Sequence, residues 1–136
     1  GIVEGYSEET KHVKIKNDNK ENHANALIEV ITELYEKNIH PNDIAVITLA
    51  SRDESCVNDI PPSYNNLLAE FNSSYDGMTK VKFFDVLGFK GQEVRFIILI
   101  DIYSNIDKNK LKNLFYTGLT RAKTAAIVIR NEKVDI

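Results

Sequence analysis

The chain has 136 residues, 43% of them hydrophobic and 27% charged, which fits one globular domain, residues 1–136, whose core needs no metal or disulfide. The single Cys56 has no partner for a disulfide, there is no signal-like start, and no apolar run approaches the roughly 20 residues that span a bilayer. These features argue against a secreted or membrane protein, and we expect a soluble, cytoplasmic one.

The net charge of −3 hides an asymmetry between the two parts of the chain. Residues 1–78 carry 6 Lys and Arg against 14 Asp and Glu, whereas residues 79–136 carry 11 against 6. A basic C-terminal part indicates an anionic partner at that end. Lysines such as Lys108, Lys110 and Lys112 fit equally well the ordinary role of keeping a helix start soluble, so charge alone leaves both interpretations open.

The first elements are predicted from apolar spacing. Residues 13–16 alternate apolar and charged side chains, as a partly exposed strand does. A helix should follow and end before Pro41. Its apolar stripe consists of Ala24, Leu27, Ile28, Ile31, Leu34 and Tyr35. The continuous apolar run at 44–49 indicates a strand that is covered on both faces.

The middle of the chain is less regular. Residues 51–63 contain two consecutive prolines and few apolar residues, which predicts an exposed and mobile loop. A short helix is expected at 64–71, followed by a strand at 81–86. After a loop that contains two glycines, a second continuously apolar strand should occupy residues 94–102.

The last helix is predicted most clearly, with Asp107 as its N-cap and one apolar side. That side is formed by Leu111, Leu114, Phe115, Gly118, Leu119 and Ala122. A final strand at 125–129 should close the domain. Alternating strands and helices with apolar strands predict a three-layer α/β fold with a mostly parallel sheet.

Ligands of such sheets collect at the carboxyl ends of the strands, which makes residues 48–52, residues 87–93 and Asp101 the first candidates. In the second segment, Gly91 lets the backbone approach a ligand, Lys90 offers a charge, and Glu93 can accept hydrogen bonds from sugar hydroxyls. A glycine-containing turn with solvated charges explains the same residues. Asp101 ends an apolar strand as a magnesium-binding aspartate does, but we interpret it as a loop cap.

Arg121 lies at the edge of the apolar side of the last helix. A guanidinium is always charged, and its forked donors match phosphate oxygens, so an arginine at an inter-domain cleft can neutralise charge during phosphoryl transfer. An ion pair on the helix flank is the commoner fate of a single arginine. The residue therefore predicts an anionic partner without identifying it.

Residues 115–123, Phe-Tyr-Thr-Gly-Leu-Thr-Arg-Ala-Lys, resemble the sixth motif of UvrD/Rep-type superfamily 1 helicases, Tyr-Val-Ala-Leu-Thr-Arg-Ala-Lys. Residues 89–93, Phe-Lys-Gly-Gln-Glu before an apolar strand, resemble the fifth motif, and residues 43–47 resemble the strand that opens the fourth. The three segments follow the family's order. The resemblance covers about residues 43 to 130 and implies the second RecA-like domain of a DNA helicase.

The resemblance also implies roles for single residues. Arg121 would be the arginine finger on the γ-phosphate of ATP, Glu93 would hold the ribose, and Gly91 would bring backbone near the nucleotide. Lys90 and Gly88 would lie towards the nucleic acid. Tyr116 and Thr120 would position the finger. The arginine of the fourth motif falls on Leu49, and Arg52 is the nearest candidate to replace it as an ATP contact.

The chain has no Gly-x-x-x-x-Gly-Lys-Ser/Thr phosphate loop and no Asp-Glu pair for magnesium. We therefore expect this chain alone to be inactive, and ATP and Mg²⁺ to be bound mainly by an N-terminal RecA-like domain of a longer parent protein. Single-stranded DNA would be the track, with RNA not excluded. The alternative is a noncatalytic RecA-like module that binds nucleic acid or a protein.

Overall fold

The computed structural model describes residues 9–73 and 79–135. These residues form a three-layer α/β domain whose secondary-structure elements follow in chain order. The strands are β1 (Glu9–Ile15), β2 (Ile44–Thr48), β3 (Lys82–Asp85), β4 (Val94–Ile102) and β5 (Ala122–Asn131), and the helices are α1 (Lys20–Glu36) and α2 (Lys108–Arg121). Single-turn 3-10 helices occupy Pro41–Asp43, Cys56–Asp59 and Pro62–Tyr64. No helix in this part of the chain is long and apolar enough to cross a membrane.

The strands form one sheet in the order β1-β5-β4-β2-β3, and every pair of neighbours is parallel. Residues of the central strands alternate between two cores: Ile44 and Val46 pack on the side of α1, whereas Ala45 and Ile47 pack on the side of α2. The predicted three-layer α/β fold is confirmed. Burial on both faces explains why β2 and β4 are continuously apolar.

Both helices begin at side-chain caps. Asn19 accepts a hydrogen bond from the backbone of Asn22 at 2.7 Å, and Asp107 accepts bonds from Asn109 and Lys110 at 2.7 and 3.2 Å. The N-cap predicted at Asp107 is therefore confirmed. Helix α2 rests directly on β4, since a β-carbon added to Gly118 would lie 2.7 Å from Leu99 Cδ1.

The prediction of an exposed loop at 51–63 is wrong for its middle part. Ser55 and Cys56 are fully buried, because the Ser55 hydroxyl and the Cys56 amide both donate to the buried carboxylate of Asp101. Hydrogen bonds thus bury Ser55 within a polar stretch, while Cys56 and Val57 also pack in the core on the α1 side. The mobility of this segment stays a prediction.

The short helix predicted at 64–71 is also absent. A 3-10 turn at Pro62–Tyr64 is followed by a stretch that runs beside β3, where Leu68 forms a parallel bridge with Val81. The Ala69 amide donates to the Val81 carbonyl at 2.8 Å. Pairing with the open edge of the sheet satisfies the backbone here in place of helical bonds.

Candidate functional site

Glu93 and Arg121 lie at the same edge of the sheet. Val94 of β4 is paired with Ala122 of β5, and each candidate residue directly precedes one member of this pair. Neighbouring strands lie about 4.8 Å apart, so the two backbones are adjacent. This is the amino-terminal edge of the sheet. Glu93 therefore does not lie at the carboxyl edge, where residues 87–93 were expected, because the chain runs back across the sheet between β3 and β4.

Arg121 is half-buried in the last turn of α2, where a cation interacts favourably with the helix dipole. Within residues 9–73 and 79–135 its guanidinium forms neither a hydrogen bond nor an ion pair. The exposed carboxylate of Glu93 does not pair with it despite the adjacent backbones. The edge therefore carries a cation and an anion on adjacent backbones, and the two are not paired with each other.

The turn before Glu93 is anchored by Phe89. This side chain is fully buried, and its ring centroid lies 5.6 Å from that of Phe84. Gly91 has a φ of 85°, which favours glycine, and a β-carbon there would meet no described atom within 4 Å. Lys90 is exposed beside it. The turn thus holds an accessible stretch of backbone and a lysine next to Glu93. The anchoring role of Phe89 was missed in the sequence, although an aromatic residue within a glycine-containing turn is a signal for it.

The strand pairing is irregular beside Arg121. The register between β4 and β5 shifts between Val94 and Phe96, as a β-bulge does, and such irregularities often occur next to functional sites. Arg95 lies within this shift and is turned to the α1 side. Its Cζ is 5.2 Å from the centroid of the Phe96 ring, and its Nη1 is 3.5 Å from Asp43 Oδ2. Of these two arginines near the edge, Arg95 has partners within the described chain and Arg121 has none.

Tyr116 and Thr120 precede Arg121 on α2. The Thr120 hydroxyl donates to the Tyr116 carbonyl at 2.8 Å and lies 3.4 Å from the Thr117 carbonyl, so it is occupied within the helix. The ring of Tyr116 is 58% exposed and points away from the core. The role of both residues in positioning Arg121 stays a prediction.

The structure does not bring Arg52 to this edge. Arg52 follows the carboxyl end of β2, bonds to the side chain of Asn58, and lies 6.0 Å from the Phe83 ring on the α1 face. Arg121 belongs to the opposite layer and the opposite edge. Arg52 therefore lies apart from Arg121 within this domain, because the polar segment after β2 turns back over the α1 side. Its role as an ATP contact stays a prediction.

Gly88 lies near the end of β3, in the turn that leads to Glu93. Its amide donates to Asp85 Oδ1 at 2.7 Å, and its carbonyl accepts from Gln92 at 3.1 Å. Gly88 and Lys90 thus belong to one turn. This turn links the carboxyl edge of the sheet to the amino edge where Arg121 lies.

Asp101 is a structural residue in this fold. Its buried carboxylate accepts hydrogen bonds from the Thr48 and Ser55 hydroxyls, the Cys56 amide and the Tyr103 hydroxyl. Both oxygens are used, so the residue does not fit a magnesium ligand. The described residues contain no group of three or more His, Cys, Asp or Glu side chains that could hold a metal.

The fold and the site together define a class of protein. It is a RecA-like α/β domain that carries an unpaired arginine and an exposed glutamate at one edge of its sheet. Residues 81–129 match the family of UvrD-like helicase C-terminal domains, which confirms the family resemblance of the segments similar to the fifth and sixth motifs. Among solved structures, the C-terminal domain of a possible DNA helicase from Lactobacillus plantarum WCFS1 is similar, with a TM-score of 0.69 and 13% identity over 95% of this chain and 78% of that chain. At this identity the likeness shows the fold. A search of curated proteins gives no significant match.

Proposed function

We propose that this domain is the C-terminal motor half of an ATP-dependent superfamily 1 DNA helicase or translocase. The observation that carries the proposal is the open guanidinium of Arg121 beside the exposed carboxylate of Glu93 at one edge of the sheet. The family match at residues 81–129 includes both residues. The chain has no phosphate loop, so the proposal assigns the rest of the ATP site to an N-terminal RecA-like domain of the parent protein.

In this mechanism the two domains share one nucleotide. The N-terminal domain holds the phosphates and Mg²⁺, Glu93 accepts hydrogen bonds from the ribose hydroxyls, and Arg121 contacts the γ-phosphate. The guanidinium neutralises charge as the γ-phosphoryl group is transferred to water. Loss of the γ-phosphate removes the anchor of Arg121, so the cleft opens. Repeated closing and opening moves the two domains along single-stranded DNA.

The test is ATP hydrolysis by the complete parent protein and its Arg121→Ala variant, with and without single-stranded DNA. Removal of an arginine finger lowers turnover by about 10³- to 10⁵-fold, while ATP binding is retained. Arg95→Ala is the matched control, because this neighbouring arginine already has Asp43 and Phe96 as partners. Hydrolysis by Arg121→Ala at the wild-type rate would contradict the proposal.

Two further outcomes of the same assay would distinguish translocation along nucleic acid from ATP hydrolysis. If hydrolysis depends on Arg121 but neither DNA nor RNA stimulates it, the nucleotide roles of Arg121 and Glu93 stand and translocation is wrong. If the parent protein does not hydrolyse ATP at all, the domain is a noncatalytic RecA-like binding module.

A further inference from the structure

Helix α2 carries positive charge that the described domain does not compensate. Its sequence contains Lys108, Lys110, Lys112 and Arg121 and no Asp or Glu. The three lysines are exposed, and within residues 9–73 and 79–135 none of them forms an ion pair. The outer face of the helix is therefore strongly basic.

The lysines occupy positions where a helix tolerates cations poorly. Lys108 and Lys110 lie in the first turn, near the positive end of the helix dipole, and Lys108 and Lys112 are four residues apart, where like charges repel. The Asp107 cap offsets this only in part, because a single carboxylate faces three ammonium groups. Solubility needs no such arrangement, since lysines elsewhere on the surface would serve it. The placement favours an anionic partner.

The exposed face also has an aromatic residue in line with the lysines. Lys108, Lys112 and Tyr116 follow at four-residue intervals, so they lie along one side of α2 over about 12 Å. The Tyr116 ring is 58% exposed, and only its backbone carbonyl is used by Thr120. Cations beside an exposed aromatic ring are the combination by which proteins bind single strands, with phosphates on the cations and a base stacked on the ring.

We propose that this α2 stripe, formed by Lys108, Lys112 and Tyr116 with Lys110 beside it, binds the backbone and one base of single-stranded nucleic acid. The inference rests on the proposed function and deepens it, because it names a nucleic-acid surface outside the motif residues. The stripe ends at Tyr116, five residues before Arg121. A bound strand therefore contacts the same helix that carries the proposed finger.

The test is binding of a fluorescein-labelled oligothymidylate to the 136-residue chain, measured by anisotropy over a series of salt concentrations without ATP. Replacing Lys108, Lys110 and Lys112 together by glutamine should weaken binding and lower the slope of log K against log salt by about 2, since each phosphate contact contributes about 0.7 for a single strand. Tyr116→Ala should weaken binding roughly fivefold or more, through lost stacking.

The matched control replaces Lys11, Lys37 and Lys80 by glutamine. It removes the same charge from the α1 side of the sheet, the side opposite to α2. This control should keep the wild-type salt slope. Thermal unfolding gives a second readout: the α2 triple variant should be at least as stable as the wild type, because it loses cations that oppose the helix dipole.

Three results would overturn the inference. They are wild-type affinity and salt slope in the α2 triple variant, an equal loss of binding in the α1-side control, and no binding of the oligonucleotide by the wild-type chain. Because the assay contains no ATP, each result is distinguishable from failure of the nucleotide roles of Arg121 and Glu93.

Discussion

The side chain of Asn72 occupies the space that a β-carbon on Gly88 would need. An ideal β-carbon on Gly88 would lie 2.0 Å from Asn72 Oδ1 and 3.1 Å from Asp85 Oδ1. The same Asn72 oxygen accepts a hydrogen bond from the Asp85 amide at 3.0 Å, so moving it aside breaks that bond. The family resemblance assigns Gly88 to nucleic-acid binding, and this contact adds a steric reason for glycine at the position.

We expect Gly88→Ala to destabilise the domain by about 1–3 kcal/mol through overpacking against Asn72. Urea unfolding measures the change. The control is a double-mutant cycle with Asn72→Gly, which removes the obstructing side chain and suits the φ of 58° at this position. Alanine at 88 should cost much less in the Asn72→Gly background. Simple addition of the two effects would show that Asn72 is not the obstacle.

Asp101 connects the segment after β2 to the end of β4 by side-chain hydrogen bonds. Its carboxylate takes hydrogen bonds from Thr48, Ser55, Cys56 and Tyr103, and its backbone has a φ of 65°. Burial, together with the carboxylate of Asp101, raises the pKa of the neighbouring Cys56 and Tyr103. Cys56 is therefore a neutral, unreactive thiol, and Tyr103 remains a donor.

We expect Asp101→Asn to lower the free energy of unfolding by about 2–4 kcal/mol, because the buried hydroxyl and amide donors lose an ionised acceptor. Asparagine tolerates a positive φ, so the substitution changes the hydrogen bonds and not the backbone. Asp107→Asn is the matched control, since asparagine caps a helix about as well as aspartate. Similar losses in the two variants would contradict a special role for the Asp101 cluster.

The central parts of the fold could be read from the sequence. Strand β4 was predicted at its observed bounds, and β2 within one residue, because strands covered on both faces have an unbroken apolar pattern. Helix α2 and its Asp107 cap were equally clear, since capping and apolar spacing are local properties. These elements position the candidate site.

The remaining features depend on partners that are distant in sequence. The bridge between Leu68 and Val81 replaces the predicted helix at 64–71, and the Asp101 carboxylate buries Ser55 from a polar segment. The side-by-side placement of Glu93 and Arg121 likewise follows from the register of β4 and β5, which no local pattern encodes. Motif resemblance identified both residues, but only the sheet shows which edge they share.

Asp18 connects the start of α1 to the ends of β4 and β5. Its carboxylate accepts hydrogen bonds from the Ser104 amide at 2.7 Å, the Asn131 amide group at 2.8 Å and His23 Nε2 at 3.3 Å. His23 is fully buried, and its Nδ1 has no hydrogen-bond partner in the described part of the chain. A proton on Nδ1 would therefore lack an acceptor.

Burial lowers the pKa of His23, and the opposing effects of Asp18 and Asp101 are smaller. The folded protein thus takes up this proton less readily than the unfolded chain, so stability falls as pH drops below the ordinary pKa of 6.5. Burial alone would raise the pKa of Asp18, but the hydrogen bonds from Ser104, Asn131 and His23 outweigh it and lower the pKa. The contribution of Asp18 to the free energy of unfolding is present above pH 3.8 and is lost only at more acidic pH.

We expect the free energy of unfolding to decrease between about pH 7 and pH 5, and to decrease less in His23→Gln, which keeps a donor for Asp18 but does not titrate. Urea unfolding at a series of pH values measures both slopes. His12, whose pKa is lowered by burial, Arg130 and Lys14, should account for part of the remaining dependence, so the double variant with His12→Gln should be flatter still. The prediction fails if the free energy of unfolding of His23→Gln has the same pH slope as that of the wild type. The buried imidazole would then gain its proton as easily in the folded state as in the unfolded chain, and the unpartnered Nδ1 would have no energetic consequence.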